Sequence, residues 1–479
     1  MKKYILSITA IIALLALSMS ANPVGTMPSN EPDPDEELIE EEEEDDEESD
    51  STKTDDEDAS VRMNPIIDIE LDAEDIDIPV PSFIKRNYNK INLNGADWSD
   101  LIKAFAQSQT RPVSIVHIGD SHIQADFSTA VTRELLQYDF GNAGRGMISP
   151  LKLSGTNQPT DYTFSSRDNW TPVKLMSRNW PYTMGFTGAS IHPSMQRSSL
   201  RIATSENNDY NPFSSMTVFH GGKLTVDSIV NSKGYRVHFR TIPSADFTHI
   251  VMASQENDVN VYFTSTGDLT VYGVSLSADT PGVFYHAIGN NGATYATYNR
   301  IGNVGKGISH LSPSLVILSL GTNEAFGRLD TDALYNSIDR LVKNIMASNP
   351  DAEILLVTPM ECQKSISKTV TSKVKTKGSK RKGKKGRRSK GGYKTVKKNV
   401  RSYGPNPNIA RVRDEIIRYG KDNKIAVLDW YEVAGGQGAS NTWIANNLFS
   451  KDRVHHSAKG YRLQGRLLYD AILETIVTP

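Results

Sequence analysis

The chain holds a single cysteine, Cys362, so no disulfide can form within it. No cysteine follows the N-terminal apolar stretch to accept a lipid. That stretch, Tyr4 to Leu17, falls short of the roughly 20 residues a membrane helix needs. It follows Met1-Lys2-Lys3 and precedes Ser18, Ser20 and Ala21, the pattern of a signal peptide over residues 1–20. Export to the periplasm or beyond the cell is therefore expected, with no transmembrane segment after cleavage. No spacing of His, Cys, Asp or Glu describes a metal site, and Gly141 to Gly146 lacks the Lys-Ser/Thr ending of a phosphate loop. Neither metal, cofactor nor nucleic acid is expected as a partner.

Acid is missing altogether from one long segment. Lys364 to Arg401 is crowded with Lys and Arg and has no Asp or Glu, whereas most residues from Glu31 to Asp58 are acidic. The net charge of -3 hides both blocks. Such blocks repel themselves and lack core-forming residues, which predicts a disordered acidic linker over 21–80 and a flexible basic insertion over 364–401. The insertion reads equally as a solvated loop or as a site for an anionic polymer.

Between the blocks the apolar pattern alternates between strand and helix. Val113 to Ile118, Leu315 to Leu320, Ile354 to Val357 and Ile425 to Leu428 are compact apolar runs of the kind that form buried parallel strands. Helical spacing appears after Ser121, at Leu334 to Met346, at Asn408 to Tyr419 and at Ala458 to Ile476. This is an α/β pattern with a parallel sheet and helices on both faces. Residues 160–280 differ, with short alternating runs such as KLTVDSIV and YRVHFRT, and predict an inserted antiparallel β-sandwich. The α/β domain is then divided into parts 81–159 and 281–479. Trp170, Trp180, Phe186, Tyr262 and Tyr272 read either as sandwich core or as platforms for sugar rings.

Four segments lie where loops would leave the carboxyl edge of such a sheet, the edge at which ligand crevices open. They are Gly119-Asp120-Ser121-His122, Ile288 to Tyr295 (IGNNGATY), Gly321-Thr322-Asn323-Glu324 and Asp452-Arg453-Val454-His455. A serine hydroxyl needs a base to become a nucleophile, and imidazole titrates near pH 6.5, which suits that task. Ser121 is the candidate nucleophile and His455 the candidate base. Asp452, three residues upstream, is placed to fix the ring's tautomer. The Ser121 and Gly292 N–H groups and the Asn323 amide are the candidate oxyanion hole. His456 is an alternative base, and Gly289 an alternative to Gly292. His117 reads as a core histidine. Asp126, His122 and Glu324 read as loop-orienting or substrate-contacting groups, and a zinc site from Asp120, His122 and His455 lacks supporting spacing.

In order and spacing these segments resemble the characteristic blocks of the SGNH/GDSL hydrolases, over Val113 to Leu151 and Gly282 to Ile476. The resemblance implies a three-layer, flavodoxin-like SGNH fold. It assigns Ser121, Asp452 and His455 to the triad and Ser121, Gly292 and Asn323 to the oxyanion hole. His122 stands where the family's Leu would be. HIGDSHIQADF, FGNAGRG and the β-rich insertion look like the bacterial peptidoglycan O-acetylesterases, in which the insertion is similar to a carbohydrate-binding module. The expectation is a secreted esterase that removes O-acetyl groups from a glycan such as peptidoglycan. A non-catalytic glycan-binding or surface-assembly protein and a lipid acyl esterase are the alternatives. Oligomeric state is left open.

Overall fold

A computed structural model of the chain describes residues 78–204, 211–375 and 393–477. The expected signal peptide and nearly all of the acidic linker lie outside them, as does 376–392 of the basic segment. Among the described residues no helix is long and apolar enough to cross a membrane.

The strand Val113–Gly119 is buried along its whole length, as a strand covered on both faces must be. It pairs in parallel with Val283–Gly289 on one side and Leu315–Ser319 on the other. Glu353–Val357 and Ala426–Leu428 extend the sheet in parallel, and the short Ile91–Asn92 closes it antiparallel. Amphipathic helices cover it. Thr331–Ser348 buries Leu334, Ile338, Leu341, Val342 and Ile345, a spacing of three and four residues that presents one face to the sheet. Asp330 caps that helix by accepting the Ala333 N–H at 3.0 Å. Asn408–Asn423 and Ala458–Val477 bury their apolar sides in the same core.

Two antiparallel sheets form the β domain. One runs in the order Arg236–Val237, Leu224–Asn231, Asp258–Ser265, Arg197–Thr204 and Tyr162–Ser165. The other has Phe239–Pro243, Phe247–Glu256, Phe213–Gly221, Thr270–Ser277, Ala189–Pro193 and Trp170–Lys174. Phe164, Ile191, Phe213, Ile250, Val259 and Val271 fill the core between them. Gly146–Ile148 pairs with Thr270–Ser277, so the β layer begins before residue 160. Of the aromatics weighed as sugar platforms, Phe186 is buried against Phe219, and Tyr262 is exposed on its strand. Trp180 lies beneath the Arg300 guanidinium.

The basic segment departs from expectation. Its ends are regular strands: Gln363–Lys375 and Tyr393–Pro405 pair as an antiparallel hairpin without a register slip. Lysine-rich composition masked the β-branched Ile366, Thr369, Val370, Thr371 and Val374, residue types that favour strands.

Candidate active site

Because their strands are parallel and adjacent, Val113–Gly119, Val283–Gly289 and Leu315–Ser319 deliver their following loops to one edge. The first strand ends in Gly119, where a Cβ would come within 2.8 Å of the Ser319 carbonyl oxygen and 2.2 Å of Ile123 Cγ1. Only glycine allows the chain to turn there. Asp120 then caps the short helix Ser121–Gln124, its Oδ1 accepting the His122 N–H at 2.9 Å. Ser121 is thereby fixed at the start of that helix.

His455 Nε2 lies 2.7 Å from Ser121 Oγ, and His455 Nδ1 lies 2.5 Å from Asp452 Oδ2. Asp452 Oδ1 accepts the hydroxyl of Ser450 and the N–H groups of Val454 and His455 at 2.6, 2.8 and 2.9 Å. The carboxylate therefore organises the loop as well as the ring. Burial favours the neutral imidazole, but the hydrogen bond and charge of Asp452 outweigh it and hold His455 above its ordinary pKa. The same pair holds Asp452 well below the usual carboxylate range, although burial alone would raise it. A ring of this kind accepts the serine proton and keeps it as a stabilised imidazolium.

Gly292 turns with φ +76°, and among the described residues neither its N–H nor that of Ser121 has a protein acceptor. Asn323 Nδ2 donates to the Ala293 carbonyl at 3.0 Å, which ties it to the Gly292 loop, and to Asp120 Oδ2 at 3.3 Å, so both of its amide hydrogens are engaged. Gly289 plays a different part. It is the last residue of its strand, and a Cβ there would lie 2.0 Å from Gln124 N. Its role is to let the nucleophile's helix approach the sheet.

The other singled-out residues fall elsewhere. His456 is buried, with Nε2 3.0 Å from Met360 Sδ, so it does not reach Ser121 as a base; burial pushes its pKa down to about 3. His117 is a core histidine held between Tyr285 Oη at 2.7 Å and Ser319 Oγ at 2.6 Å. Asp126, at φ +60°, joins Arg133 and Arg145 in a buried ionic cluster with Asp161. Such a cluster locks the turn after the nucleophile's helix and leaves Asp126 no part in substrate contact. Glu324 Oε1 accepts the Tyr295 N–H at 2.8 Å, and burial raises its carboxyl to about 7. His122 packs beside the His455 ring, 5.2 Å between centroids, with Nδ1 3.1 Å from Tyr461 Oη. No group of three or more His, Cys, Asp or Glu able to hold a metal occurs among the described residues.

Several residues at the rim carry no sequence signal, because their partners lie far along the chain. Gln124 Oε1 accepts the Asn291 N–H at 2.7 Å, while its amide bonds Asn157 Oδ1 at 2.7 Å. This fixes the Gly292 loop against a loop leading into the β domain. Arg300 donates to the carbonyls of Leu175, Ser177 and Arg178 at 3.0, 2.8 and 3.0 Å, clamping a second β-domain loop beside the site. That loop carries Met176, which is 48% exposed yet lies 3.4 Å from where a Gly292 Cβ would stand. An apolar side chain held exposed beside the oxyanion loop forms a wall for whatever binds there.

Residues 263–463 match the GDSL-like lipase/acylhydrolase family. The match takes in Gly292, Asn323, Asp452 and His455, whereas Ser121 precedes it on the far side of the β domain. No curated protein sequence matches the chain. A solved structure of a peptidoglycan O-acetylesterase aligns over 81% of this chain and 98% of its own, with TM-score 0.60 and 21% identity, and shows the shared SGNH-type fold. A family two carbohydrate esterase from Clostridium thermocellum aligns over 64% of this chain and 98% of its own, with 10% identity and TM-score 0.27. A lipase/acylhydrolase from Enterococcus faecalis aligns over 40% and 76%, with 16% identity and TM-score 0.26. These two overlaps are too loose to add to the first.

Proposed function

We propose that this GDSL-type ester hydrolase is an exported serine esterase that removes O-acetyl groups from a cell-wall or related glycan. The observation that carries the reading is the unbroken relay from Asp452 through His455 to Ser121, beside a loop whose Gly292 N–H is free to receive an oxyanion. Ser121 Oγ attacks the acetyl carbonyl carbon as His455 Nε2 takes its proton. Charge gathers on the carbonyl oxygen, where the N–H groups of Ser121 and Gly292 receive it, joined by the Asn323 amide as it gives up its longer bond to Asp120 Oδ2. His455 then protonates the departing sugar oxygen, leaving an acetyl group on Ser121. Water, deprotonated by the same ring, releases acetate and restores the hydroxyl. The peptidoglycan O-acetylesterase that shares the fold supports glycan acetate as the substrate class, and the N-terminal sequence pattern supports export.

Acetate release from O-acetylated peptidoglycan, together with hydrolysis of aryl esters from acetyl to octanoyl, tests the reading. Acetyl esters should turn over fastest, and Ser121→Ala and His455→Ala should fall to background while remaining folded. Wild-type rates equal to buffer on every ester count against an enzyme. A preference for long acyl chains favours the lipid alternative.

A further inference from the structure

The hairpin Gln363–Lys375 and Tyr393–Pro405 is rooted in the catalytic loop. The Gln363 N–H donates to the Arg453 carbonyl at 2.9 Å, and Arg453 Nη1 returns a bond to Gln363 Oε1 at 3.0 Å. The Arg453 guanidinium also lies over the Tyr403 ring, 4.6 Å from its centroid. Arg453 sits between Asp452 and His455 with φ +64°, a conformation that such contacts must hold in place. One end of the hairpin is thus fixed within the loop that carries the triad's acid and base.

Further along, the described residues of the ribbon lie exposed. Strand alternation and register place Thr371, Lys373 and Lys375 on one face with Tyr393, Thr395 and Lys397, and all six are exposed. Lys394 and Val374 lie on the opposite face, also exposed. A two-stranded ribbon buries neither face by itself. Lysines on such a ribbon guard its edges against pairing with other chains, but a few scattered cations suffice for that. Seventeen Lys and Arg with no acid between Lys364 and Arg401 are far more than that purpose needs.

We propose that this ribbon is a docking surface for a glycan that carries carboxylates, and that it draws such a polymer across the catalytic loop. The choice of a glycan over other polyanions rests on the esterase reading above. Each arm has thirteen residues and spans about 43 Å at roughly 3.3 Å per residue, so lysines near its free end cannot touch an ester at Ser121. Only a polymer reaches both. A polymer that profits from both must bear negative charge along its length and an ester for Ser121, and a nucleic acid supplies no such ester.

The test is binding to the full-length protein, read without turnover so that it stands whether or not the esterase reading does. Lys373→Gln, Lys375→Gln, Lys394→Gln and Lys397→Gln are combined, leaving Gln363, Tyr403 and Arg453 in place. Wild type should bind alginate, a polyuronate, and ignore neutral dextran. The variant should bind alginate about tenfold more weakly at physiological salt, and the two proteins should converge near 1 M salt, where the Debye length is about 3 Å. On chemically acetylated alginate the variant's kcat/KM should fall relative to its value on acetylated xylan, which is neutral. Unchanged alginate affinity, equal binding of dextran, or a loss confined to DNA overturns the proposal. Absence of turnover on small acetyl esters overturns the esterase reading and leaves the binding result standing.

Discussion

Asp452→Asn separates the two tasks of that carboxylate. Asp452 Oδ1 holds Ser450, Val454 and His455, and Oδ2 faces His455 Nδ1 at 2.5 Å. Asparagine keeps one oxygen for the loop and puts an NH2 group where Oδ2 stood. Two donors cannot face each other at that distance, so the ring's single proton moves from Nδ1 to Nε2. Nε2 then donates to Ser121 Oγ, 2.7 Å away, and can no longer accept from it. The loop survives while the base is lost. In Ser-His-Asp hydrolases this change costs about 10⁴ in kcat. At about 1.36 kcal/mol per tenfold, that is about 5.4 kcal/mol of lost transition-state stabilisation. The carboxylate is also what keeps His455 above its ordinary pKa, so the acid limb of kcat/KM should move to lower pH in the variant. The assay is a pH series of kcat and kcat/KM on 4-nitrophenyl acetate, with thermal melts of both proteins. A loss smaller than about tenfold at unchanged Tm, or an acid limb that stays in place, refutes this account of the relay.

The two glycines of the oxyanion region should respond differently. Gly289→Ala drives a methyl into Gln124 N and should abolish folding or expression, whereas Gly292→Ala meets only Met176 and should cost about 1–2 kcal/mol for its positive φ; melts that rank them the other way contradict these assignments. Met176→Ala opens the wall beside Gly292, so the ratio of butyryl to acetyl kcat/KM should rise several-fold, and a ratio that does not move shows that Met176 does not bound the acyl group. Stability should decline on acidification from about pH 6.5. Burial keeps His117, His286 and His456 neutral in the fold down to about 3, while the unfolded chain takes up those protons near 6.5. Asp120 and Glu324, raised by burial to about 6 and about 7, act in the opposite sense because the fold protonates them before the unfolded chain does. Burial holds His122 and His220 below their ordinary values as well, so the histidines outnumber the two carboxyls and stability should fall between about pH 6 and 4.5. A Tm that climbs steadily over that interval contradicts the balance.

The parallel strands were legible because a strand buried on both faces must be apolar almost throughout, as LVILSL and ILLV are. The helix of Leu334 to Met346 was legible for the complementary reason, a single apolar face. Ser121, Asn323, Asp452 and His455 stood out because each follows or borders such an element, and the structure brings their loops to one edge. What was hidden depends on pairing across distance. Gly146–Ile148 joins the β layer only through Thr270–Ser277, and Arg300 finds its acceptors about 120 residues away. The hairpin was obscured by charge, since lysine content outweighed the β-branched residues of ISKTVTSKVK. The choice between Gly289 and Gly292 needed the position of Gln124, which no single loop sequence contains.

The central claim is that Ser121 is the nucleophile of an ester hydrolase, and trapping it tests that claim most directly. The protein is incubated with a fluorophosphonate, digested, and mapped by mass spectrometry while residual acetyl-ester hydrolysis is followed. One adduct per chain on Ser121, loss of activity in proportion to labelling, and little or no labelling of His455→Ala are the predicted results. Hydrolysis that continues after Ser121 is fully modified, or an adduct on another residue that tracks the loss of activity, would contradict it.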